Sequence, residues 1–297
     1  MSKIKHIHFI INPAAGNDEP ILNTINDVLY EKEIEWDISL TKAHGDGEKF
    51  AREVAKAGKT DLIAAYGGDG TIADVANGLV DSKMPLMILP GGTGNGLAKA
   101  FNLPLTLREA LEKIFECKPH GIDLGKTQTG RHFILRTAMG ISANATTSAP
   151  RDLKDQFGIF AYVISGIQQV QNPPNATYKM TLDGEEVEVE GVGCVVANTN
   201  SIGALNLTFH KDVKPDDGLL DVFIIKNVHE SLLGALAELA KLKDGAAFDF
   251  DHWQVKEAHI DCDPKQEVLG DGEVFDNFPL HLTVVPQAIQ LMLPVEE

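Results

Sequence analysis

Up to Ile122 the chain alternates between two hydrophobic periods. "KHIHFIINP" alternates, then runs apolar to Pro13, and predicts a strand. Ile21, Leu22, Ile25, Val28 and Leu29 recur at helical spacing over residues 20–32. "EWDISLT" alternates as a strand, and "GEKFAREVAKAG" reads as a helix closed by Gly58. "DLIAAY" is a short buried-type strand, "TIADVANGLVD" a helix, "PLMILP" another strand and "LAKAFNL" another helix. Strands alternating with helices predict a parallel sheet wrapped on both faces.

Beyond Ile122 the pattern changes. "GIDLGKTQTG", "HFILRTAMG", "TYKMTLDGEEVEVEG", "GCVVANT", "LLDVFIIKN", "HWQVKEAHIDCD" and "PLHLTVVP" are strand-like runs separated by turn residues. Two helical stretches interrupt them, "QFGIFAYVISGIQQV" and "ESLLGALAELAKLKDG". This half reads as a predominantly antiparallel sandwich or partial barrel. With 297 residues, two domains are expected, dividing near Ile122 into 1–122 and 123–286.

Composition narrows the partners. Hydrophobic residues at 43% and charged residues at 23% describe an ordinary globular chain. A net charge of −17, with no dense Lys/Arg cluster, excludes a typical nucleic-acid binder. It also weakens docking on anionic membranes, while transient contact with a membrane surface through an apolar patch stays open. Cys117, Cys194 and Cys262 are far apart and in no CxxC pattern, so neither a disulfide framework nor a zinc site is expected of them. With no signal peptide and no membrane-length apolar run, the simplest location is the cytoplasm, with peripheral contact at a membrane left open.

The candidate chemistry sits in two glycine loops. "YGGDGT" follows one strand and "PGGTGNGLA" follows the next, and each opens a helix. Neither is a G-x-x-x-x-G-K-[ST] phosphate loop. GDGTIA fits the G-x-G-x-x-A of a dinucleotide fold but lacks the acidic ribose partner about 20 residues on. The first loop also lacks the alternating acids of an EF-hand. Gly67, Gly68 and Gly70 allow close approach of a ligand, and a helix N-terminus suits an anion. Asp69 would repel phosphate unless a cation intervened, which implies Mg²⁺ or a water-linked metal network. The alternative is a plain strand-to-helix turn with Asp69 or Thr71 as the cap. In the second loop Thr93 can donate to a phosphate and Asn95 can brace the turn. The string "HGDGEKF" stands where a helix begins and is read as a helix start. His6 and His8 share a strand face and read as a satisfied pair.

Four motifs, "NPAAG" (12–16), "GGDGT" (67–71), "PGGTGNGLA" (90–98) and "DGE" (271–273), occur in the order seen in the diacylglycerol kinase catalytic domain family, which the chain resembles along essentially its whole length. The resemblance implies an α/β domain of NAD kinase/diacylglycerol kinase type, then a β-sandwich lipid-acceptor domain, with the active cleft between them. It implies that the tail 287–297 returns to the first domain. It further implies transfer of the ATP γ-phosphoryl group to a lipid hydroxyl, with Asn12, Thr41, Gly67, Gly68, Asp69, Gly70, Thr71, Gly92, Thr93 and Asn95 at the nucleotide. By this resemblance Asp69 looks like the metal-network aspartate and Glu273 like the catalytic base, with Asp271 of the same motif grouped with them.

"KPDDGLLDV" resembles the segment that holds a structural divalent metal, through main-chain carbonyls at Lys214 and Leu219 and the carboxylate of Asp217. The family's Pro-x-Ala just upstream is "KDV" at 211–213 here, a departure that puts this metal in question. "QFGIFAYVISGIQQV" is similar to the family's lipid-cavity segment, although an apolar helix is more often plain core. Gly96 replaces a common aspartate and is reminiscent of the sphingosine kinase branch, so diacylglycerol, another glycerolipid and a sphingoid base all stay open as acceptor. A NAD kinase-like phosphotransferase and a catalytically silent nucleotide-binding regulator are the other readings. A homodimer through edge strands of the β-rich half is also left open.

Overall fold

The computed structural model describes residues 4–15, 19–140, 175–202, 207–208, 212–227, 249–271, 273–274 and 279–295. The helical stretches expected at 156–170 and 230–245 lie outside these residues, as do Gly16, Lys211 and Gly272. The chain divides into two compact units, one of Met1–Ile122 with Gln287–Glu297, the other of Asp123–Pro286.

Unit 1 begins β1 (His6–Ile11), α1 (Ile21–Tyr30), β2 (Glu35–Leu40), α2 (Asp46–Ala57), β3 (Leu62–Gly67), α3 (Asp69–Leu79) and β4 (Pro85–Pro90). The four strands are parallel in the order β2-β1-β3-β4. β3 is buried at all six positions, which is why it reads as a continuous apolar run. β2 lies at the edge, alternates, and leaves Ile38 and Leu40 exposed. α2 packs closely on α3 because Gly78 carries no side chain, and a Cβ there would come within 2.3 Å of the Glu48 carbonyl oxygen. The helix start read at "HGDGEKF" is where α2 begins, with Gly45 in the left-handed region at φ 84° as its cap. His6 meets Asp37 at 3.1 Å and His8 meets Ser39 at 2.9 Å.

α4 (Gly96–Ala100) and α5 (Leu107–Lys113) follow, and a short 3-10 turn at Ile114–Glu116 closes the helical part. The apolar pattern does not predict α5, because the helix has only two turns. Its signal is the T-x-x-E spacing of a helix start: the Thr106 hydroxyl accepts from the Glu109 amide and donates to the Glu109 carboxylate.

Unit 2 takes up β5 (Cys117–Thr127) from Asp123 and continues with β6 (His132–Phe133), β7 (Arg136–Met139), β8 (Ala176–Leu182), β9 (Glu185–Gly191) and β10 (Gly193–Ala197). A two-stranded ribbon, β11 (Ser201–Ile202) with β12 (Leu207–Thr208), comes next. β13 (Leu220–Asn227), β14 (Asp249–Val255), β15 (Glu257–Asp263), β16 (Val268–Gly270), β17 (Glu273–Val274) and β18 (Leu280–Pro294) complete the strands among the described residues.

One antiparallel layer runs β14-β13-β10-β7-β16-β17. In the other, the first part of β18 pairs β15, which pairs β8, which pairs β9. Tyr178, Met180, Ile260 and Leu282 from this layer pack against Cys194, Val196, Val222 and Ile224 from the first in one buried cluster. The last part of β18 belongs to unit 1, where Gln290 and Leu291 pair in parallel with Pro85 and Leu86 of β4. Cys117, Cys194 and Cys262 are buried free thiols whose pKa values burial raises.

"HFILRTAMG", expected as one strand, is two. The chain leaves the ladder at Ile134 and Leu135, whose amides bond a carboxylate instead of a neighbouring strand.

Candidate active site

In the order β2-β1-β3-β4 the chain crosses from one side of β1 to the other, so the carboxyl ends of β1 and β3 form the switch point where open α/β sheets take ligands. The residues singled out in unit 1 gather there. Asn12, directly after β1, donates its backbone N–H to the Tyr66 carbonyl at 2.9 Å. Its side-chain amide donates to the Thr71 hydroxyl at 3.0 Å, and its carbonyl oxygen accepts from the Ala14 amide. Thr41, after β2, is buried and donates its amide to the Ile11 carbonyl.

The two glycine loops touch backbone to backbone. The Gly91 amide donates to the Gly67 carbonyl at 2.9 Å. A Cβ on Gly92 would stand 2.7 Å from the Gly68 Cα, and one on Gly67 would stand 2.7 Å from the Thr71 side chain. Glycine is required at both places by this close approach. Asn95, in the left-handed region at φ 49°, accepts the Gly92 amide on its side-chain oxygen at 2.9 Å. Thr93 is exposed between them.

Asp69 joins the loops. It is the first residue of α3, whose cap is Gly68 in extended backbone, so neither Asp69 nor Thr71 caps that helix. Its carboxylate reaches across instead. Oδ2 accepts from the Gly96 amide and Oδ1 from the Leu97 amide, both at 2.9 Å. This corrects the expectation that both helix starts offer free amides to a phosphate. The first amides of α4 are taken by Asp69, whereas no side chain caps α3, leaving its first turn for an anion. Each Asp69 oxygen keeps a lone pair for a water or a metal. The departure at Gly96 now has a geometric setting, because its amide is one of the two that Asp69 holds.

A cavity of about 850 Å³ opens at the opposite, amino-terminal end of this sheet, lined by Ile34, Asp61, Leu62, Pro85, Phe115 and Met292. None of the site residues singled out above lines it; the convergent polar groups gather at the other end of the sheet.

In unit 2, β16 and β17 form a tight hairpin with Gly270 opposite Glu273 and Leu269 opposite Val274. Asp271 turns it at φ 45°. The Asp271 carboxylate is buried and accepts three successive amides, from Ile134 at 2.6 Å, Leu135 at 3.0 Å and Arg136 at 3.1 Å. Three backbone amides fix this side chain in place, which makes it an anchor for the hairpin that carries Glu273.

Burial pushes the Asp271 carboxyl up to about 6, with the three amides and Arg136 pulling the other way. The folded state therefore holds the proton more tightly than the unfolded one. Asp271 contributes most below about pH 4, and the contribution is lost as pH rises through about 6. Between pH 4 and pH 7.5 the stability of the wild type relative to Asp271→Asn should fall by up to ~3 kcal/mol, which is ~1.4 kcal/mol for each unit between the ordinary carboxyl value and about 6. Urea unfolding of both proteins at the two pH values measures it.

The 212–220 loop leads into β13. The Asp217 carboxylate accepts the Leu219 amide at 3.0 Å. Partial burial raises its pKa, and Asp221, Asp123 and Asp216 raise it further. Two of these acids were missed in the sequence. Asp123 is fully buried on β5, accepts the Gly218 amide at 2.6 Å and donates its own amide to the Pro215 carbonyl. Asp221 is fully buried beside His252 Nε2 at 2.6 Å. The available signal was an aspartate inside an apolar strand, in "GIDLG" and in "LLDVF". Asp217, whose ionisation is opposed by partial burial and by the neighbouring carboxylates, fits a bound cation. Val213, in the segment that departs from the family, is buried.

Residues 6–127 match the diacylglycerol kinase catalytic domain, and residues 136–293 match the YegS C-terminal NAD kinase beta sandwich-like domain. The chain belongs to the diacylglycerol kinase catalytic-domain family. A Staphylococcus haemolyticus protein named "Putative lipid kinase" is 28% identical over 265 residues, covering 86% of this chain and 84% of that one. An uncharacterized Synechocystis protein is 27% identical over 315 residues, covering 100% of this chain and 72% of that one. A crystal structure described as a diacylglycerol kinase from Bacillus anthracis superposes with a TM-score of 0.81 at 29% identity, covering 99% of this chain and 98% of that one. Kinase-family membership suggests a phosphotransferase, and the two matches fall on the α/β part and the β-sandwich part.

Proposed function

We propose that this protein is an ATP- and Mg²⁺-dependent lipid kinase, transferring the γ-phosphoryl group to the hydroxyl of a lipid such as diacylglycerol or a sphingoid base. The observation that carries the reading is Asp69, which ties two glycine loops together at the carboxyl ends of β3 and β4. The uncapped first turn of α3 would take the phosphates, with Gly67, Gly68, Gly70 and Gly92 admitting them and Asn12 and Thr71 holding the loop shape. Thr93 would donate its hydroxyl, and Thr41 would flank the nucleotide. Asp69 would hold the nucleotide's Mg²⁺, which when bound offsets charge on the phosphate oxygens. Asp217, with the carbonyls of Lys214 and Leu219, would hold a second, structural divalent ion. Glu273 would orient the acceptor hydroxyl and take its proton, with Asp271 as the positioning residue beneath it.

No helix among the described residues is long and apolar enough to cross a membrane, so the lipid would be met at a membrane surface or in a micelle. The test is transfer of label from γ-labelled ATP to lipids in mixed micelles, with Mg²⁺ and then with chelator. Transfer that needs Mg²⁺ is expected, and no transfer to any lipid would overturn the reading. Gly92→Ala should push the loops apart and raise the KM for ATP about 10- to 100-fold, because displacement of this order misplaces the phosphates. Steady-state kinetics at varied ATP checks it.

A further inference from the structure

In unit 2, Glu257 and His259 lie two residues apart on β15, hence on one face, and His281 of β18 stands directly opposite His259. Glu257 Oε1 is 2.8 Å from His281 Nε2 and 3.1 Å from His259 Nε2, and the three donor atoms lie within 4.8 Å of one another. Among the described residues this is the single set of three such groups to come so close. We propose that Glu257, His259 and His281 form a binding site for a Zn²⁺-class transition-metal ion.

The donor set is two imidazoles and one carboxylate, which suits zinc and its neighbours and does not suit Mg²⁺. Zn–N and Zn–O bonds of about 2.0–2.1 Å in a tetrahedron place ligand atoms about 3.3 Å apart. The two Glu–His separations fall just short of that, so each opens by less than ~1 Å. The imidazole rings now stack at 3.8 Å between centroids and 15° between planes. Both must turn so that their lone pairs converge, and with side chains 51% and 38% exposed nothing buried opposes that. A water completes the fourth position.

The frame is held from the backbone. The Glu257 amide donates to Asp183 at 2.8 Å and the His281 amide donates to Gln128 at 3.0 Å. A net charge of −17 favours any cation over the free state.

The test uses the full chain stripped with chelator, titrated calorimetrically with Zn²⁺ in the presence of millimolar Mg²⁺, beside His259→Ala, His281→Ala and Glu257→Gln. All three substitutions are at the surface, and circular dichroism checks the fold. One Zn²⁺ equivalent is expected in the wild type, weakened at least ~10-fold by either His change, a difference of ~1.4 kcal/mol. Co²⁺ should give the visible band of a tetrahedral site in the wild type and lose it in the double His variant. No binding by the wild type, or binding undiminished in both His variants, overturns the site. None of these readouts depends on kinase activity.

Discussion

Glu273→Gln should leave ATP binding intact and lower kcat for phosphoryl transfer about 10²- to 10⁴-fold, the span a positioned general base contributes. Glutamine keeps the length and hydrogen-bonding reach of the side chain and removes its capacity to take a proton. Glu273 opens β17 opposite Gly270, so the substitution sits on a hairpin fixed by Asp271 rather than on a free loop. KM for ATP should stay within about twofold, because Glu273 is proposed to act on the acceptor hydroxyl and not on the nucleotide. An undiminished rate would mean that the proton leaves by another route, which a loose transition state allows. Steady-state kinetics with saturating acceptor, paired with ATP titration by calorimetry, separates these outcomes.

The second large effect is at Asp69. Asp69→Ala removes both acceptors of the Gly96 and Leu97 amides. Two hydrogen bonds to a charged group should cost about 1.5–3 kcal/mol each at most, less where water can replace them. Turnover should fall about 10²- to 10³-fold through the loss of charge at the phosphates. Asp69→Asn divides the two roles. It retains one acceptor and should recover part of the stability, while turnover stays low because the negative charge is gone. Full activity in Asp69→Asn would reduce the residue to a helix cap.

The alternation of strand and helix up to Ile122 was legible because each element carries its own period. β3 is a buried apolar run, α1 an amphipathic stripe, and Gly58 a left-handed stop at φ 62°. α5 escaped because seven residues hold too few apolar positions to show a period. Asn12, the two loops and the DGE string were legible as motifs. What they do was not, because it depends on partners far along the chain. Asp69 caps a helix 27 and 28 residues away, where every local rule looks within a turn. Asp271 draws amides from 135 to 137 residues upstream and breaks a strand that the pattern predicted whole. The Glu257–His259–His281 set likewise needs the β15–β18 register before it exists.

The proposed reaction carries the phosphate from ATP to a lipid hydroxyl. The most direct measurement places γ-labelled ATP, Mg²⁺, mixed micelles of diacylglycerol and a sphingoid base, and NAD in one reaction with the wild-type protein, and separates the products. Label in the lipid fraction and none on NAD is the predicted result. Label on NAD with none on any lipid would contradict it.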